Sequence, residues 1–396
     1  MTTQNPIRIL FPLISNARWT GGYNYLKNLI HAISDFCYGE LVPVVLYSKD
    51  LSDEELAPFE EMRGIEFVFS PLSYDRFTFH QGVSSIILGV DNKFNHIIKS
   101  NNVSIIFEHA NFFGWRLPIP ALAWLPDFQH RHLPHLFSRR AWLKRELGYR
   151  TQILFKRHII LSSYSALADY ERWYGRDRTR VHVLRFAVRP PPRISEATVR
   201  EVLSRYDIDQ PFFYLPNQFW LHKNHDLVLE TLAMLRRSGH ERLVVATGNT
   251  TEKRSQSHYR TLIEKIDRYG LHNSFRILGM IPYPHVQCLM QCCAALINPS
   301  RCEGWSTTVE EARAIGTPMI LSDLPVHREQ AGGDAIYFDP ASPEELAQAL
   351  LRFRPLTATE RERRRVAAET ASWRRVEAFS RQFLAIVRGI IRMPRS

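Results

Sequence analysis

A pair of glutamates flanking a glycine-containing turn is the part of the sequence best suited to chemistry. Glu303 lies directly before Gly304, and Glu311 follows with seven residues between the two acids. An apolar run ends before this turn, and a helical pattern begins after it. N–H groups at a helix start bind phosphate, and carboxylates accept hydrogen bonds from sugar hydroxyls. The pattern therefore favours a ligand with both phosphate and hydroxyl groups, such as a nucleotide sugar.

The helix that follows the turn carries start and stop signals. Thr307 and Glu310 have the spacing of a capping box, in which two side chains satisfy N–H groups at the helix start. Gly316, followed by Pro318, ends the helix. If Glu310 serves the cap, Glu311 can reach hydroxyl groups of a ligand. On the residues alone, an ordinary strand, loop and helix with surface glutamates is an equal alternative.

The residues around this turn resemble a known family, the large retaining GT-B glycosyltransferases of family 4, also called group 1. The resemblance covers roughly residues 212–350 well and the N-terminal half more loosely. The similar stretches are Pro299-Ser300-x-x-Glu303-Gly304-Trp305, Glu311-Ala312-x-Ala314-x-Gly316-x-Pro318, Ser322-Asp323-Leu324-Pro325-Val326-His327-Arg328-Glu329 and Phe338-Asp339-Pro340. The first two reproduce the family's Glu-x7-Glu signature.

The resemblance implies a role for each acid. Glu303 would contact the donor sugar as a catalytic residue, and Glu311 would contact the ribose of the nucleotide. The residues between them would hold the diphosphate or the sugar, largely through main-chain amides. These residues are Gly304, Trp305, Ser306 and Thr307.

A second group of candidates follows the predicted strand at 212–216. Family members often carry a Gly-Arg pair here and then a lysine, and both cations grip the diphosphate. Lys223 matches the lysine, whereas Asn217-Gln218 stands in the region of the arginine. We therefore expect Lys223 to be catalytic and Asn217 to contact the donor. His222 either substitutes for the arginine or is an ordinary solvated histidine.

Candidates in the N-terminal half are fewer. Gly21 and Gly22 precede a helix predicted from Tyr23, and glycines permit close approach of the backbone to a ligand. The family has a similar Gly-Gly loop, which places these glycines in the donor site. Asp127 and His130 follow a predicted strand, in a region where relatives often have a histidine that orients the reacting sugar. They are either catalytic or part of a structural loop.

Strand-like apolar runs alternate with helix-length amphipathic stretches along the chain. This alternation predicts an α/β fold of parallel sheets covered by helices. Before the proline run at 189–193, the predicted strands are 7–11, 41–47, 65–69, 103–107, 121–125, 158–161 and 181–184. After it, they are 212–216, 242–247, 274–278, 294–298, 318–321 and 335–338.

The proline run suits a linker, because proline has little backbone freedom and resists both helix and strand. We therefore expect two Rossmann-like domains in a GT-B arrangement, with parallel sheets facing an interdomain cleft. Residues 1–188 would form the acceptor-binding domain and 194–373 the nucleotide-sugar-binding domain. A last helix at 374–396 has an apolar stripe and would join the first domain.

The charge and the cysteine content of the chain restrict which ligands, metals and macromolecules it is expected to bind. The net charge of +11 favours an anionic partner. Five cysteines without a C-x-x-C pair indicate reduced thiols rather than a zinc site. Asp207-Ile208-Asp209 is more typical of a turn than of a metal site. We therefore expect no metal and no cofactor, and the absence of a recognised module argues against nucleic acid.

The expected location is the cytoplasm, because no apolar run approaches the roughly 18 residues of a membrane span and no signal peptide is recognisable. Residues 139–157 interleave basic and apolar side chains. This stretch is either the solvated face of a Rossmann helix or an interfacial helix that binds the anionic inner face of a membrane.

The expected reaction moves a sugar from a nucleoside-diphosphate sugar to a hydroxyl of a glycan or lipid-linked acceptor, with retention of anomeric configuration. It would serve the assembly of cell-surface polysaccharide. Two alternatives stay open. One is another enzyme with a GT-B fold, such as a nucleotide-sugar epimerase, and the other is a basic protein that binds membrane or nucleic acid.

Overall fold

The computed structural model describes residues 5–74, 85, 89–109, 111–251 and 257–393. Packing contacts divide the chain into two compact units. Unit 1 comprises residues 1–128, 139–187 and 374–396, and unit 2 comprises 129–138 and 188–373. The segment 129–138, which contains His130, thus groups with unit 2, although the sequence suggested the first domain. Residues 394–396 of the expected last helix lie outside the described residues.

Unit 1 is built on a parallel sheet whose strands are largely runs of buried apolar residues, as expected for strands covered on both faces. Among its described residues the sheet has seven strands in the order β3-β2-β1-β4-β5-β6-β7. The strands are β1 (Ile7–Pro12), β2 (Leu41–Tyr47), β3 (Glu66–Phe69), β4 (Ile105–Glu108), β5 (Ala121–Leu125), β6 (His158–Leu161) and β7 (Val181–Val183).

Unit 2 contains a second parallel sheet, with six strands in its described part in the order β10-β9-β8-β11-β12-β13. The order reverses between β8 and β11, and open parallel sheets bind ligands at the carboxyl ends of strands at such a switch point. The strands are β8 (Phe212–Leu215), β9 (Leu243–Thr247), β10 (Phe275–Gly279), β11 (Leu296–Asn298), β12 (Met319–Ser322) and β13 (Ala335–Phe338).

Helices cover the sheets in both units. Those of unit 1 are α1 (Thr20–Phe36), α2 (Asp53–Glu60), α3 (Asn92–Ser100), α5 (Arg139–Leu154) and α6 (Tyr164–Tyr174). Those of unit 2 are α4 (Gln129–His132), α7 (Glu196–Arg205), α8 (His225–Arg237), α9 (His258–Tyr269), α10 (Tyr283–Cys292), α11 (Thr307–Ile315), α12 (Pro325–Ala331) and α13 (Pro343–Arg352). The long α14 (Ala358–Arg392) supplies residues to both units.

The last turns of α14 pack within unit 1. A buried stripe of apolar side chains recurs at helical spacing along this part of the helix. Gln382 also donates to the carbonyl of Val183 over 2.8 Å, and Arg381 and Arg388 both pair with Glu40. The stripe consists of Val376, Phe379, Phe383, Val387 and Ile390.

Within the described residues, no helix combines the length and the apolar character that crossing a bilayer requires.

Candidate functional site

The turn between β11 and α11 leads into a helix whose first residue is Thr307. The N-cap is Ser306, and its side chain makes no cap hydrogen bond. The predicted capping box is therefore wrong. Thr307 is one residue too late to serve as the cap, and the Glu310 carboxylate pairs instead with Arg313 over 2.7 Å. Glu310 therefore does not serve as part of a cap. Capping thus no longer gives a reason to assign Glu311 to a ligand.

Ser306 is held by side chains from two other elements. Its hydroxyl accepts from Asn298 Nδ2 over 2.9 Å. Its amide donates to Gln330 Oε1, and its carbonyl accepts from Gln330 Nε2, both over 3.0 Å. The turn is thereby fixed to β11 and α12. The Ser306 amide, which the resemblance assigned to the diphosphate, already has a side-chain acceptor.

Lys223 and Glu303 form an ion pair at this turn. Lys223 Nζ lies 2.5 Å from Glu303 Oε1, and the two side chains are only 13% and 10% exposed. Lys223 ends a short 3-10 helix, Leu221–Lys223, that follows β8. The Arg301 amide donates to the His222 carbonyl over 2.8 Å, which ties the two loops together. The structure thus joins the predicted lysine to the first predicted acid.

Asn224 fixes the backbone after Lys223. It adopts a left-handed conformation with φ of 58°. Its side-chain amide donates to the carbonyls of Pro299 and Pro340, over 3.1 and 2.9 Å. These bonds hold the Lys223 loop against the start of the turn that carries Glu303 and against the loop after β13.

Asn217 lies at the carboxyl end of β8 within a buried polar network. Its Nδ2 donates to Asn298 Oδ1 over 3.3 Å, and Ser300 Oγ donates to the same oxygen over 2.7 Å. Thr308 extends the network toward both asparagines. The Asn217 amide, in the region where the sequence resemblance led us to look for an arginine, is therefore occupied in joining β8, β11 and the first turn of α11.

Glu311 accepts a hydrogen bond from the Tyr283 hydroxyl over 2.7 Å. Tyr283 is the first residue of α10, and its side chain is 45% exposed. Burial around the hydroxyl, followed by the charge of Glu311, raises the pKa of Tyr283 well above its usual value. The tyrosine keeps its proton at neutral pH and orients Glu311. Sequence reasoning missed Tyr283, because nothing in its local pattern links it to an acid 28 residues later.

His327 is a second residue that sequence reasoning did not assign. It is fully buried on α12, with Nδ1 2.8 Å from the Ser322 carbonyl and no hydrogen-bond partner at Nε2 within the described part of the chain. Burial lowers its pKa, and the charges of Glu303 and Lys223 act on it in opposite directions. The ring is therefore neutral, with Nδ1 protonated toward the carbonyl and Nε2 an acceptor. The stretch at 322–329 that resembles the family contains this histidine, but the resemblance gave it no role.

Gly21 and Gly22 lie in a helix and not in a loop before one. α1 begins at Thr20, so Gly21 and Gly22 occupy its first turn, and the predicted start at Tyr23 is wrong. A Cβ atom on Gly22 would lie 2.4 Å from the Trp19 ring. The Trp19 ring in turn stacks on Trp124, with centroids 5.3 Å apart. Close packing of this indole requires a glycine at position 22.

Asp127 has partners within unit 1. Its carboxylate accepts from Arg145 over 2.8 Å, and its carbonyl accepts from the Tyr149 hydroxyl over 2.9 Å. Its contacts therefore support the loop after β5.

His130, on α4 of unit 2, is fully buried and lies edge-on to Phe137, with ring centroids 6.4 Å apart. Asp207 lies in a turn with φ of 54°, and no cluster of potential metal ligands occurs among the residues that the structure describes.

Comparison with known proteins supports the class of fold. A glycosyltransferase from Rickettsia africae has a solved structure with a TM-score of 0.75, at 15% identity, covering 99% of this chain and all of that one. The structure of Anabaena Alr3699/HepE in complex with UDP and glucose gives a TM-score of 0.69 at 15% identity, covering 97% of this chain and 100% of that one. With two Rossmann-like units on parallel sheets, the chain has a GT-B fold, which confirms the prediction.

Sequence comparison relates the chain to a particular group of glycosyltransferases. Residues 203–371, which lie in unit 2, match the family model of group 1 glycosyl transferases. The O-antigen biosynthesis glycosyltransferase WclY of Escherichia coli is 27% identical over 128 residues, or 32% of this chain. The chain covers only 33% of the length of that relative. The family match and the fold together indicate a glycosyltransferase.

Proposed function

We propose that this chain transfers a glycosyl group from a nucleoside-diphosphate sugar to a hydroxyl of a glycan or lipid-linked acceptor. The buried pair of Lys223 and Glu303, in the loops after β8 and β11, is the observation that carries the proposal. It offers a cation for phosphate and an acid for sugar hydroxyls at the sheet's switch point. The match to group 1 glycosyl transferases supports the same function over an epimerase or a basic binding protein.

The proposed donor site takes its residues from the same loops. Glu303 would bind the sugar and Glu311 the ribose, with Tyr283 holding Glu311 in place. Phosphate would lie at the N-terminus of α11, where Gly304, Trp305 and Thr307 supply main-chain groups. Ser306 and Asn217 would support this arrangement through their network with Asn298. The roles given above to Gly21, Gly22, Asp127 and His130 stay predictions.

The proposed mechanism is electrostatic rather than covalent. Because the arginine of the resembling family is absent and Asn217-Gln218 stands in its region, Lys223 and the dipole of α11 would carry most of the stabilisation of the leaving diphosphate. The ammonium of Lys223 would turn partly from Glu303 toward phosphate as the donor binds. The bond from the anomeric carbon to phosphate breaks, the acceptor oxygen bonds to the same face of that carbon, and the acceptor's proton passes to the leaving phosphate. Anomeric configuration is thereby retained.

No metal ion is required in this proposal. The charge of the leaving group is met by Lys223 and by main-chain N–H groups, without a divalent cation. Full transfer activity in excess chelator is the expected result, and loss of activity restored by Mg²⁺ or Mn²⁺ would contradict this part of the proposal.

The acceptor and the cellular setting are proposed from chemistry and likeness together. A relative that acts in O-antigen biosynthesis supports a role in the assembly of cell-surface polysaccharide. We place the enzyme in the cytoplasm, at the inner face of a membrane, where a lipid-linked acceptor would be available.

The test is a donor screen on the purified full chain. Thermal denaturation is measured with UDP-glucose, UDP-N-acetylglucosamine, GDP-mannose and dTDP-rhamnose. The HepE structure with UDP and glucose makes UDP-glucose the first choice. One donor should raise the unfolding temperature, and release of its nucleoside diphosphate should depend on an added acceptor. The proposal fails if no donor stabilises the protein or if diphosphate release ignores the acceptor.

A further inference from the structure

Helix α5 of unit 1 exposes a row of leucines to solvent. Leu143, Leu147 and Leu154 are 51%, 53% and 73% exposed. With about 3.6 residues per turn, these positions fall within about 40° of one another around the helix. The opposite face packs inward through the buried side chains of Tyr149 and Gln152, and Glu146 on the flank is also buried. The leucines therefore form an exposed ridge and not part of the core.

Aromatic side chains extend this ridge at the C-terminal end of α5. Phe155 is 39% exposed and stacks on Trp115, which is 44% exposed, with ring centroids 6.4 Å apart. Phe112, from the loop that also carries Trp115, stacks on Phe155 with ring centroids 5.3 Å apart. We call the exposed set Leu143, Leu147, Leu154, Phe155 and Trp115 the α5 patch.

Cations border the α5 patch. Arg139 and Arg150 fall on one side of the leucine ridge and Arg140 and Lys144 on the other, by helical position, and all four are exposed. Beyond the helix, Lys156 is exposed beside Phe155, and the Arg116 guanidinium lies over the Trp115 ring at 5.2 Å.

Negative charge is scarce in the same region. Between residues 139 and 157 the sequence has one acid, Glu146. Glu146 is buried, pairs with Arg150 over 2.7 Å and accepts from the Tyr174 hydroxyl over 2.8 Å. The exposed face of this segment is therefore apolar along its centre and cationic along its edges.

We propose that the α5 patch docks this protein on the surface of an anionic lipid bilayer. Leucine, phenylalanine and tryptophan side chains enter the boundary between head groups and acyl chains, and arginine and lysine bind acidic head groups. A merely solvated helix face would not present three leucines at one angle, and cations on both edges of the ridge complement the acidic head groups of a bilayer. The inference deepens the proposed function, because it assigns a surface to the membrane contact on which access to a lipid-linked acceptor would rest.

The experiment measures binding of the full chain to sedimented vesicles of phosphatidylglycerol and phosphatidylcholine. At low salt the protein should bind vesicles rich in phosphatidylglycerol and not those of pure phosphatidylcholine. The triple variant Leu143→Ser, Leu147→Ser, Leu154→Ser should lower the partition coefficient by at least about tenfold. Arg140→Gln with Lys144→Gln should lower it by about fivefold per cation and flatten the salt dependence.

Matched controls come from unit 2. Leu351→Ser with Val366→Ser removes exposed apolar side chains elsewhere, and Arg200→Gln with Arg205→Gln removes two exposed cations elsewhere. These variants should bind vesicles like the unmodified protein. Thermal stabilisation by the nucleotide sugar, measured without vesicles, should be the same in all variants, so that failure of docking is distinguished from failure of donor binding.

Three outcomes would overturn the proposal. The unmodified protein could ignore anionic vesicles at low salt. The patch variants could bind as well as the controls, which would place the contact elsewhere. Sedimentation velocity could show self-association that the leucine variants abolish, and then the patch would be an interface between copies of this chain.

Discussion

At the level of single residues, the pair of Lys223 and Glu303 determines the charge of the candidate donor site. Each side chain is about nine-tenths buried, and a charge at such depth is costly unless it is paired. The pair is therefore close to neutral before a donor arrives. In the proposed function a diphosphate would bring negative charge, so that Lys223 would exchange Glu303 for phosphate and Glu303 would gain sugar hydroxyls.

Substitution of Lys223 and Glu311 should affect different steps. Lys223→Gln should lower kcat by about a hundredfold, because it removes charge that acts on the leaving group. Glu311→Ala should weaken donor binding by about tenfold with a smaller effect on kcat, because it removes hydrogen bonds to the ribose. Initial rates against donor concentration separate the two effects.

The matched control for these variants is Glu264→Ala, which removes an exposed acid from α9 of the same unit. It should leave both constants unchanged. Wild-type turnover in both Lys223→Gln and Glu311→Ala would contradict the site assignment.

His225 gives a residue-level prediction about pH. Burial, with smaller contributions from His258 and Lys223, lowers its pKa to about 3. In the unfolded chain a histidine has a pKa of about 6.5, so between these values the unfolded state binds a proton that the folded state does not. The stability that depends on neutral His225 is present above about pH 6.5 and is lost as pH falls through this window.

The expected loss is about 2 kcal/mol of unfolding free energy between pH 7 and pH 5. Denaturant unfolding at both pH values, on the unmodified chain and on His225→Phe, measures it. Between pH 7 and pH 5, the free energy of unfolding of the variant should fall by about 2 kcal/mol less than that of the unmodified chain. Equal pH dependence in the two proteins would show that this histidine is not buried in its neutral form.

At the level of elements, the strands were more predictable than the helix starts. β2 and β5 have the predicted bounds, because a covered strand inside a parallel sheet is a largely continuous apolar run. The starts of α1 and α11 were wrong, because tertiary contacts decide them. At α11 the Ser306 hydroxyl bonds to the side chains of Asn298 and Thr308 and not to a backbone N–H of the helix. At α1 the Trp19 ring requires Gly22 inside the first turn.

The same reason explains which residues of the candidate site the sequence could indicate. Glu303, Glu311 and Lys223 carry a spacing that resembles a family pattern, so the sequence was sufficient to select them. Tyr283 and His327 act through contacts with residues distant in sequence or through burial, and no local pattern indicates either property.

Substitutions at the start of α11 can distinguish the observed network from a capping box. Asn298→Ala should lower the free energy of unfolding by about 3 kcal/mol, because it removes the amide that the buried side chains of Ser300, Ser306 and Asn217 share as a hydrogen-bond partner. Thr307→Ala should change it by no more than about 0.5 kcal/mol, because no cap hydrogen bond is lost. Urea unfolding measures both variants. A cost for Thr307→Ala as large as that for Asn298→Ala would restore the capping box.

At the level of the whole molecule, the chain of 396 residues divides into two compact units, each built on a parallel sheet. Packing contacts divide the chain between residues 187 and 188, and the proline run at 189–193 follows directly in unit 2. The alternation of strands and helices was enough to predict both sheets. It does not predict the strand order within each sheet, because that order depends on contacts between runs that are distant in sequence.

The net charge of +11 is a property of the whole chain that the donor site does not explain, since Lys223 is balanced by Glu303. The α5 patch accounts for part of this excess through cations that border an apolar ridge. The binding of the chain to vesicles should therefore depend on the salt concentration and on the content of acidic lipid, and less on whether nucleotide is present.

A crystal structure of the full chain soaked with UDP or GDP tests the central claim most directly. The account predicts density for the diphosphate at the start of α11, within hydrogen-bonding distance of Lys223, with the ribose hydroxyls against Glu311. Nucleotide bound away from this turn, with both glutamates pointing elsewhere, would contradict it.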